Sequence, residues 1–367
     1  MPTCPRHPLT RHGLSLAALA LCAAAPMTAL AQAANAVTIY GVIDVGVRNA
    51  SGLDSAYANS PGSATVVISG IDTTSRLGYR GSEDLGGGLA AIFNFESGLN
   101  VDSGTTANAS KFFDRASVVG LRGGWGSVTL GRQTTLLADT NSIVDPLGSR
   151  FASFNPNVGI AALSAHRLGL EYGPAGSTTG AFRLDNSIKY NGQFGAFGVS
   201  AMHAFGEQTN AATRLSSSGL GLSWRTNALS AAGAWTQMRT STGLELKAWH
   251  SGLTGKLGSG SWALSYAKSD AQTTTSANTR NRTLGLGGTL PLSPSLDLVL
   301  THFDVKRERT AAASDGFRRS VAFLEYKLSR RSMVYAELDH TGWKNGYQGT
   351  GNKSTSTGVS AGIKHTF

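Results

Sequence analysis

The sequence predicts an all-β protein, a transmembrane antiparallel β-barrel of about 16 strands. From residue 36 onward, segments of roughly 9–12 residues alternate apolar with polar side chains, which is the length a tilted strand needs to cross a bilayer. Beyond the amino-terminal leader the sequence has no run of 18 apolar residues, so a membrane crossing has to use strands. Glycine, with 46 of 367 residues, suits the bends and tight turns of a barrel.

Residues 1–33 are predicted to be a signal peptide. A basic start and an apolar run over Leu14–Ala25 lead to small-residue cleavage sites after Ala31 or Ala33. Both cysteines lie within this leader, so the mature chain, residues 34–367, contains none. We therefore expect no disulfide framework, no cysteine-based metal or redox site, and no cofactor.

The alternation after the leader is regular and often places charges in the middle of a segment. Leu296, Leu298 and Leu300, for example, oppose Asp297 and Thr301. Full charges on one face suit a water-filled lumen better than the dry interior of a β-sandwich. Because backbone groups in lipid must all be paired, the strands are expected to close into a ring.

The connections between segments come in two sizes. Short glycine- or proline-containing turns alternate with long polar stretches, such as residues 49–70, 206–216 and 307–315, which are expected to be loops. The segment 135–181 is too long for a plain surface connection, so it is expected to have a function of its own.

Charge and motifs exclude several function classes. Without Arg6 and Arg11 of the leader, the 32 basic residues fall to 30 against 22 acidic ones, an excess of eight. The basic residues are dispersed rather than clustered with aromatics, so nucleic-acid binding is not expected. The sequence also lacks Gly-x-Ser-x-Gly and His-Glu-x-x-His motifs, and its histidines are scattered. A barrel enzyme of the lipase or protease type is therefore a weak alternative, and no enzymatic activity is expected.

Several stretches of the mature chain, taken in order, resemble the general porins of Gram-negative bacteria in their beta-proteobacterial branch. The most specific is Ser75–Leu89, with the sequence SRLGYRGSEDLGGGL. The other stretches are Ala36–Asp44, Ala91–Gly98, Ser127–Gln133, Asp185–Tyr190 and Gly362–Phe367.

The resemblance implies a 16-stranded barrel in a homotrimer, embedded in outer-membrane lipid and lipopolysaccharide. It implies that the third loop, residues 135–181, folds into the lumen and narrows it. It also implies that Phe367 is the assembly signal read by the barrel-assembly machinery. The function it implies is passive diffusion of small hydrophilic solutes and ions through a pore.

The resemblance assigns Arg76, Arg132 and Arg183 to a basic wall of the pore constriction. Alternation independently turns Arg76 and Arg183 inward, and it turns Arg115 inward as well. Strict alternation would point Arg132 at the lipid, where an arginine costs ~2–4 kcal/mol at the midplane. We therefore predict a bulge at Gly131 that rotates Arg132 into the lumen.

Asp139 and Asp145 are the expected acidic partners in the loop, facing the basic wall. The excess of arginine on that wall predicts a mild preference for anions. A substrate-specific channel, for sugars for instance, remains the main alternative, and it would need an aromatic track along the lumen. Tyr40, Tyr335 and Trp249 are the aromatics expected to point inward, and they are few and widely separated.

Overall fold

The computed structural model describes residues 36–54, 58–158, 182–209, 211 and 213–367. These residues form a set of antiparallel strands, a short helix α1 and a further helical stretch at residues 156–158. None of the helices in these ranges has the length and apolarity needed to cross a membrane. In chain order the elements are β1 (Ala36–Leu53), β2 (Asn59–Ser69), β3 (Arg76–Gly86), β4 (Leu89–Asn100), β5 (Thr105–Thr106), β6 (Ala116–Gly123), β7 (Gly126–Thr134), α1 (Leu136–Val144), β8 (Arg183–Phe194), β9 (Phe197–Ala204), β10 (Ser217–Arg225), β11 (Leu229–Arg239), β12 (Glu245–Leu257), β13 (Gly260–Gln272), β14 (Asn278–Ser293), β15 (Leu296–Arg309), β16 (Ala312–Lys327), β17 (Ser332–Lys344) and β18 (Thr355–Thr366).

The strands close into a barrel because the last one pairs with the first. β18 runs antiparallel to β1, with Thr366 opposite Val42 at one end of the pairing. On its other side, β1 pairs with β3 through its first half and with β2 through its second half. β2 and β3 are therefore two halves of one wall strand, interrupted at residues 70–75. The two-residue β5 only extends the end of β4. The described strands thus make a closed barrel of sixteen wall strands, as the sequence predicted.

Exposure alternates along the wall in the sense that a membrane barrel requires. In β17, Val334 and Leu338 are exposed on the outside, while Tyr335, Glu337 and Asp339 are buried on the inside. A water-soluble domain would bury the first set and expose the second. Here the apolar side chains face lipid and the polar ones face the lumen, which confirms the predicted pattern.

The predicted bulge at Gly131 is present. The pairing of β7 with β8 shifts register between Gly131 and Gln133. Gly131 has a φ of +121°, and a Cβ there would lie 2.1 Å from the carbonyl oxygen of Ser117, so only glycine fits. The extra residue buries Arg132 among wall residues instead of leaving it in lipid.

Two of the expected loops are largely strand. Residues 49–70 contain the end of β1 and all of β2, and residues 307–315 contain the end of β15 and the start of β16. The prediction was wrong because these strands continue beyond the apolar belt of the barrel. Where both faces of a strand meet water, polar residues no longer mark its end.

The described part of the third loop, residues 135–158, runs along the inner wall of the barrel. Thr135 caps α1 by accepting a hydrogen bond from the Ala138 N–H. Leu136 and Leu137 then pack against inward-facing side chains of β9, β11, β12 and β13, among them Met238. Further along, Phe151 and its neighbours pack against inward-facing residues of β15, β16 and β17. Residues 135–158 therefore lie inside the barrel. Residues 159–181 and the predicted signal peptide lie outside the described residues.

Candidate pore constriction

The break in the second wall strand, at residues 70–75, holds the inner loop. The backbone N–H of Phe151 donates to the carbonyl oxygen of Asp72 at 2.8 Å, and the Arg150 guanidinium donates to the Asp72 carboxylate at 2.7 Å. Arg150 also contacts Glu325 on β16, and Lys364 on β18 contacts Asp72. Burial alone would lower the pKa of Arg150, but the two carboxylates raise it above its usual value. The guanidinium therefore stays charged and ties the loop to two parts of the wall.

A second anchor is aromatic. The ring of Phe154 lies 4.2 Å from the guanidinium carbon of Arg48 and 5.2 Å from that of Arg319, both on the inner wall. Arg319 also donates to the Phe154 carbonyl oxygen. Arg48 is held in turn by Glu337, at 2.8 Å, and by Asp339. Cation–π contacts of desolvated arginines contribute about 2 kcal/mol each, so this pair fixes the loop firmly.

Beside these anchors lies a cavity of about 350 Å³ with a strongly basic lining. Arg76, Arg115, Arg150 and Arg183 contribute four guanidinium groups, and Glu96 contributes a single carboxylate. Nε of Arg115 donates to Glu96 at 2.6 Å, while Nε of Arg76 lies 3.6 Å from the other Glu96 oxygen. Because Arg150 is already paired with Asp72 and Glu325, the Glu96 carboxylate is left for Arg76, Arg115 and Arg183, and the cavity keeps an excess of positive charge.

The structure thus brings together three of the four predicted arginines. Arg183 is 5% exposed and stacks near the ring of Phe182. Arg132 is not in the cavity lining. Its Nε donates to the Asp114 carbonyl oxygen at 2.6 Å, and its Nη1 donates to Asp185 at 2.7 Å. Arg132 therefore braces the wall where the third loop begins.

The loop carboxylate Asp139 faces a basic group on the wall. It accepts from Nζ of Lys189 on β8 at 2.7 Å and from the Thr134 hydroxyl at 2.6 Å. This pair borders a larger cavity of about 590 Å³, whose lining also contains Arg122 and Arg225. Asp139 and Lys189 therefore form a contact ion pair that joins the loop to the wall beside this cavity.

The expectation that Asp145 faces the basic wall is wrong. Its carboxylate accepts from the backbone N–H groups of Leu147 and Ser149 and from the side-chain amides of Asn155 and Asn157. These four bonds turn it into the interior of the loop, where it organises the chain after α1. Burial raises the pKa of the Asp145 carboxyl above its usual range, although the hydrogen bonds act in the opposite direction.

Trp249 also departs from expectation. It is 55% exposed and pairs with Trp235 on the outside of the barrel, while its neighbour His250 takes the inward position. Tyr40 and Tyr335 point inward as expected, and their hydroxyls bond to Glu96 and Asp44. These bonds tie both tyrosines into the polar wall, which leaves no continuous aromatic track among these three residues.

Several charged residues of this site were not among the constriction residues predicted from the sequence. Arg48, Glu96, Lys189 and Arg319 all occupy inward positions of alternating strands, so the alternation could have found them. Arg150 lies in the loop, where no periodicity applies. Within the described ranges, no group of three or more His, Cys, Asp or Glu side chains is arranged to hold a metal ion.

A closed sixteen-stranded barrel with an apolar outer belt and a charged lumen, narrowed by an internal loop, is the architecture of an outer-membrane β-barrel protein. The chain belongs to the Gram-negative porin family, whose model matches residues 16–346. This confirms the family that the sequence resembles. Membership in this family places the barrel in the outer membrane.

Curated relatives agree with this assignment. An outer membrane porin of Bordetella pertussis is 36% identical over 149 residues, covering 37% of this chain and 38% of the relative. The major outer membrane protein P.IB of Neisseria meningitidis is 35% identical over 188 residues, covering 49% and 52%. Outer membrane porin protein 32 of Delftia acidovorans is 34% identical over 205 residues, covering 54% and 51%. The chain spans about half, or less, of the length of these relatives.

Solved structures share the fold over most of the chain. The anion-selective porin from Comamonas acidovorans superimposes with a TM-score of 0.74 at 23% identity, covering 91% of this chain and all of the porin. A loop-deletion mutant of OmpT from Vibrio cholerae gives a TM-score of 0.68 at 17% identity, covering 91% and 100%. At these identities the likeness concerns the barrel itself.

Proposed function

We propose that the protein is a passive diffusion channel for small hydrophilic solutes and ions, with a mild preference for anions. The observation that carries this proposal is the cavity inside the barrel, where Arg76, Arg115 and Arg183 share the lining with the single carboxylate of Glu96. A structural neighbour is named an anion-selective porin, which supports the same sign of selectivity.

The mechanism follows from fixed charges in a water-filled passage. The basic cavity lowers the energy of a passing anion and raises that of a cation. Asp139 and Lys189 form a contact ion pair that ties the start of the loop to β8 and largely cancels both charges. Arg132 positions the start of the loop through its bond to Asp185. Because the lumen contains salt water with a Debye length of about 8 Å, the preference is expected to be modest.

The channel is proposed to work as a homotrimer. One structural neighbour is described in a trimer form, and porins of this kind are generally trimeric. An SDS-resistant band of three times the monomer mass, lost on boiling, is the expected result on an electrophoresis gel. A monomeric mass in detergent by light scattering would contradict the trimer while leaving the channel proposal untouched.

Phe367 is proposed to be the assembly signal for the barrel-assembly machinery. It lies at the seam that closes the barrel, where its backbone exchanges two hydrogen bonds of 3.1 Å with Gly41. Deleting Phe367 is expected to reduce insertion into the outer membrane while refolding in detergent proceeds. Normal insertion of the deleted chain in cells would contradict this role.

The experiment that tests the channel is conductance in planar bilayers under a gradient of KCl. We expect a steady trans-membrane current and a reversal potential whose sign shows that chloride permeates more readily than potassium. Absence of current, or a cation-selective reversal potential, would overturn the proposal. A substrate-specific channel would instead show current that one class of solute blocks at low concentration.

A further inference from the structure

A histidine lies beneath the helix of the inner loop. His250 on β12 points into the barrel, where α1 packs over the strand and the residue is only 1% exposed. The backbone of Leu137 on α1 approaches its imidazole ring. Two residues further along β12, a Cβ at Gly252 would lie 2.9 Å from the Cβ of Val144, the last residue of the helix. His250 is therefore part of the surface on which α1 rests.

The imidazole of His250 is buried without a hydrogen bond. Among the described residues neither of its ring nitrogens has a partner, although polar atoms at such depth are normally bonded. Asn141 lies between Leu137 and Val144 on one face of α1, and its Oδ1 is likewise buried and unpaired. The docking of α1 therefore depends on apolar packing, such as that of Leu136 and Leu137 against the wall.

The wall around His250 holds no charge that could balance a proton. His250 stands directly between Ala234 on β11 and Ala267 on β13, and both alanines are buried. The adjacent inward positions of the three strands are small or neutral. They are occupied by Thr236, Ala248, Gly252, Ser265 and Ser269.

The charged groups of the surrounding elements are engaged elsewhere. On α1 the Asp139 carboxylate is paired with Lys189 of β8. After α1 the Asp145 carboxylate accepts four hydrogen bonds from its own loop. On β12 itself, the inward cation Lys256 lies six residues from His250, which is ~20 Å along a strand. A proton on His250 would thus create a buried cation with no anion beside it, which is strongly unfavourable in a protein interior.

This penalty applies only while α1 is docked. Once α1 leaves the wall, His250 faces the water-filled lumen, where a charged imidazole is solvated. A proton therefore binds more tightly to the undocked state, and linkage requires that acid favour undocking. The Leu137 backbone and Oδ1 of Asn141 could accept hydrogen bonds from a charged ring. Such bonds to neutral groups offset only part of the desolvation of an ion.

We propose that His250 is a proton-sensitive contact that releases α1 from the barrel wall when the pH falls. A solvated imidazole has a pKa of about 6.5, so docking should weaken about 10-fold for each pH unit below that value. Between about pH 7.5 and about pH 4.5 the opening equilibrium of α1 should rise about 100-fold. The later part of the loop should stay in place, because Arg150 and Phe154 anchor it separately.

The test measures hydrogen exchange of the α1 amides by mass spectrometry, in the full mature chain folded in detergent. The protection factor removes the intrinsic dependence of exchange on pH, so that it reports the opening of the helix. The wild type is compared with His250→Gln and His250→Leu, and either variant suffices if the other fails to fold. His302→Gln is the matched control, because His302 is exposed on the outside of the barrel and contacts the Ser320 hydroxyl at 2.9 Å.

We expect the protection factor to fall about 100-fold in acid for the wild type and for His302→Gln, and to change little in the two His250 variants. An equal fall in the His250 variants would overturn the proposal, because another group, such as Asp145, would then be the sensor. A wild type whose protection is constant, or rises in acid, would also overturn it. A rise would mean that the charged ring is held by Leu137 and Asn141.

Heat-dependent gel mobility checks that the barrel stays folded at both pH values. A second readout rests on the proposed function, because a released helix would obstruct the passage. Brief closures of the single-channel current should become more frequent in acid for the wild type but not for His250→Gln. A wild type without any conductance would refute permeation and leave the exchange result standing.

Discussion

Replacement of Arg76 tests the origin of the proposed anion preference. Arg76 lines the basic cavity, and its side chain is 25% exposed to the lumen. Glu96 keeps its closer partner, Arg115 at 2.6 Å, when Arg76 is changed. Arg76→Gln should therefore remove one positive charge from the passage without leaving a buried carboxylate unpaired.

The size of the effect follows from Coulomb's law. An anion that passes at about 6 Å from the guanidinium in a medium like water gains roughly 0.7 kcal/mol. Screening at physiological salt, with a Debye length of about 8 Å, reduces this to roughly 0.3 kcal/mol. Because the charge disfavours cations by the same amount, Arg76→Gln should lower the anion-to-cation permeability ratio about 3-fold, and Arg76→Glu should lower it about 10-fold.

The assay is the reversal potential in a KCl gradient, repeated at low and high salt. At 1 M salt the Debye length falls to about 3 Å, and the difference between variant and wild type should nearly vanish. Arg330→Gln, in the exposed turn between β16 and β17, is the matched control, because it removes one positive charge away from the basic cavity. An equal shift in Arg330→Gln, or an unchanged potential in Arg76→Glu at low salt, would refute the reasoning.

Three further substitutions test how the loop and the wall are held. Phe154→Ala removes a buried ring between two arginines, including Arg48 at 4.2 Å, so we expect a loss of about 3–5 kcal/mol in loop anchoring, seen as noisier single-channel current and faster proteolysis within the loop while the barrel stays SDS-resistant. Arg150→Gln should weaken the anchoring of the loop by about 1–3 kcal/mol, and unchanged noise in the single-channel current would contradict the anchoring role of Arg150. Gly131→Ala should abolish refolding to the heat-modifiable form, because its Cβ would lie 2.1 Å from the Ser117 carbonyl oxygen; normal refolding would mean that the bulge can be dispensed with.

The sequence predicts the wall far better than the lumen. Each wall residue has one neighbour on each side and faces either lipid or water, so a period of two is enough to assign Val334 outward and Glu337 inward. Even the bulge at Gly131 could be predicted, because an arginine in lipid is costly enough to demand one. Trp249 was assigned to the wrong face of its strand because the alternation around it is weak, and Ala248 and Ser251 give no contrast in polarity.

The loop inside the lumen obeys no such rule. Whether a carboxylate such as Asp145 faces the passage or the loop interior depends on how residues 145–157 coil around it. That coil depends in turn on anchors from distant strands, such as Arg319. The strand break at residues 70–75 also depends on a distant contact. At this break Asp72 forms an ion pair with Arg150 of the loop. Contacts between residues so far apart in the chain leave no local pattern.

Net charge is consequently a poor guide to the field in the pore. Arg48 and Arg150 are held by carboxylates at 2.8 Å and 2.7 Å, and they fix the loop without adding free charge to the passage. The outward positions of β12 to β17 near the long-loop end carry an excess of three positive charges that faces the outside of the barrel and not the lumen. The seven basic residues there are Lys247, Lys268, Arg280, Arg282, Lys306, Arg318 and Lys344, and the four acidic residues are Glu245, Asp270, Asp304 and Glu308. Three of the eight excess positive charges in the mature chain therefore lie where a permeating ion does not pass. Removing the three cations of Lys268, Arg282 and Lys306 should thus leave the reversal potential unchanged, while removing Arg76 alone should shift it. A larger shift from the triple variant would mean that selectivity follows total charge and that the basic cavity has no special role.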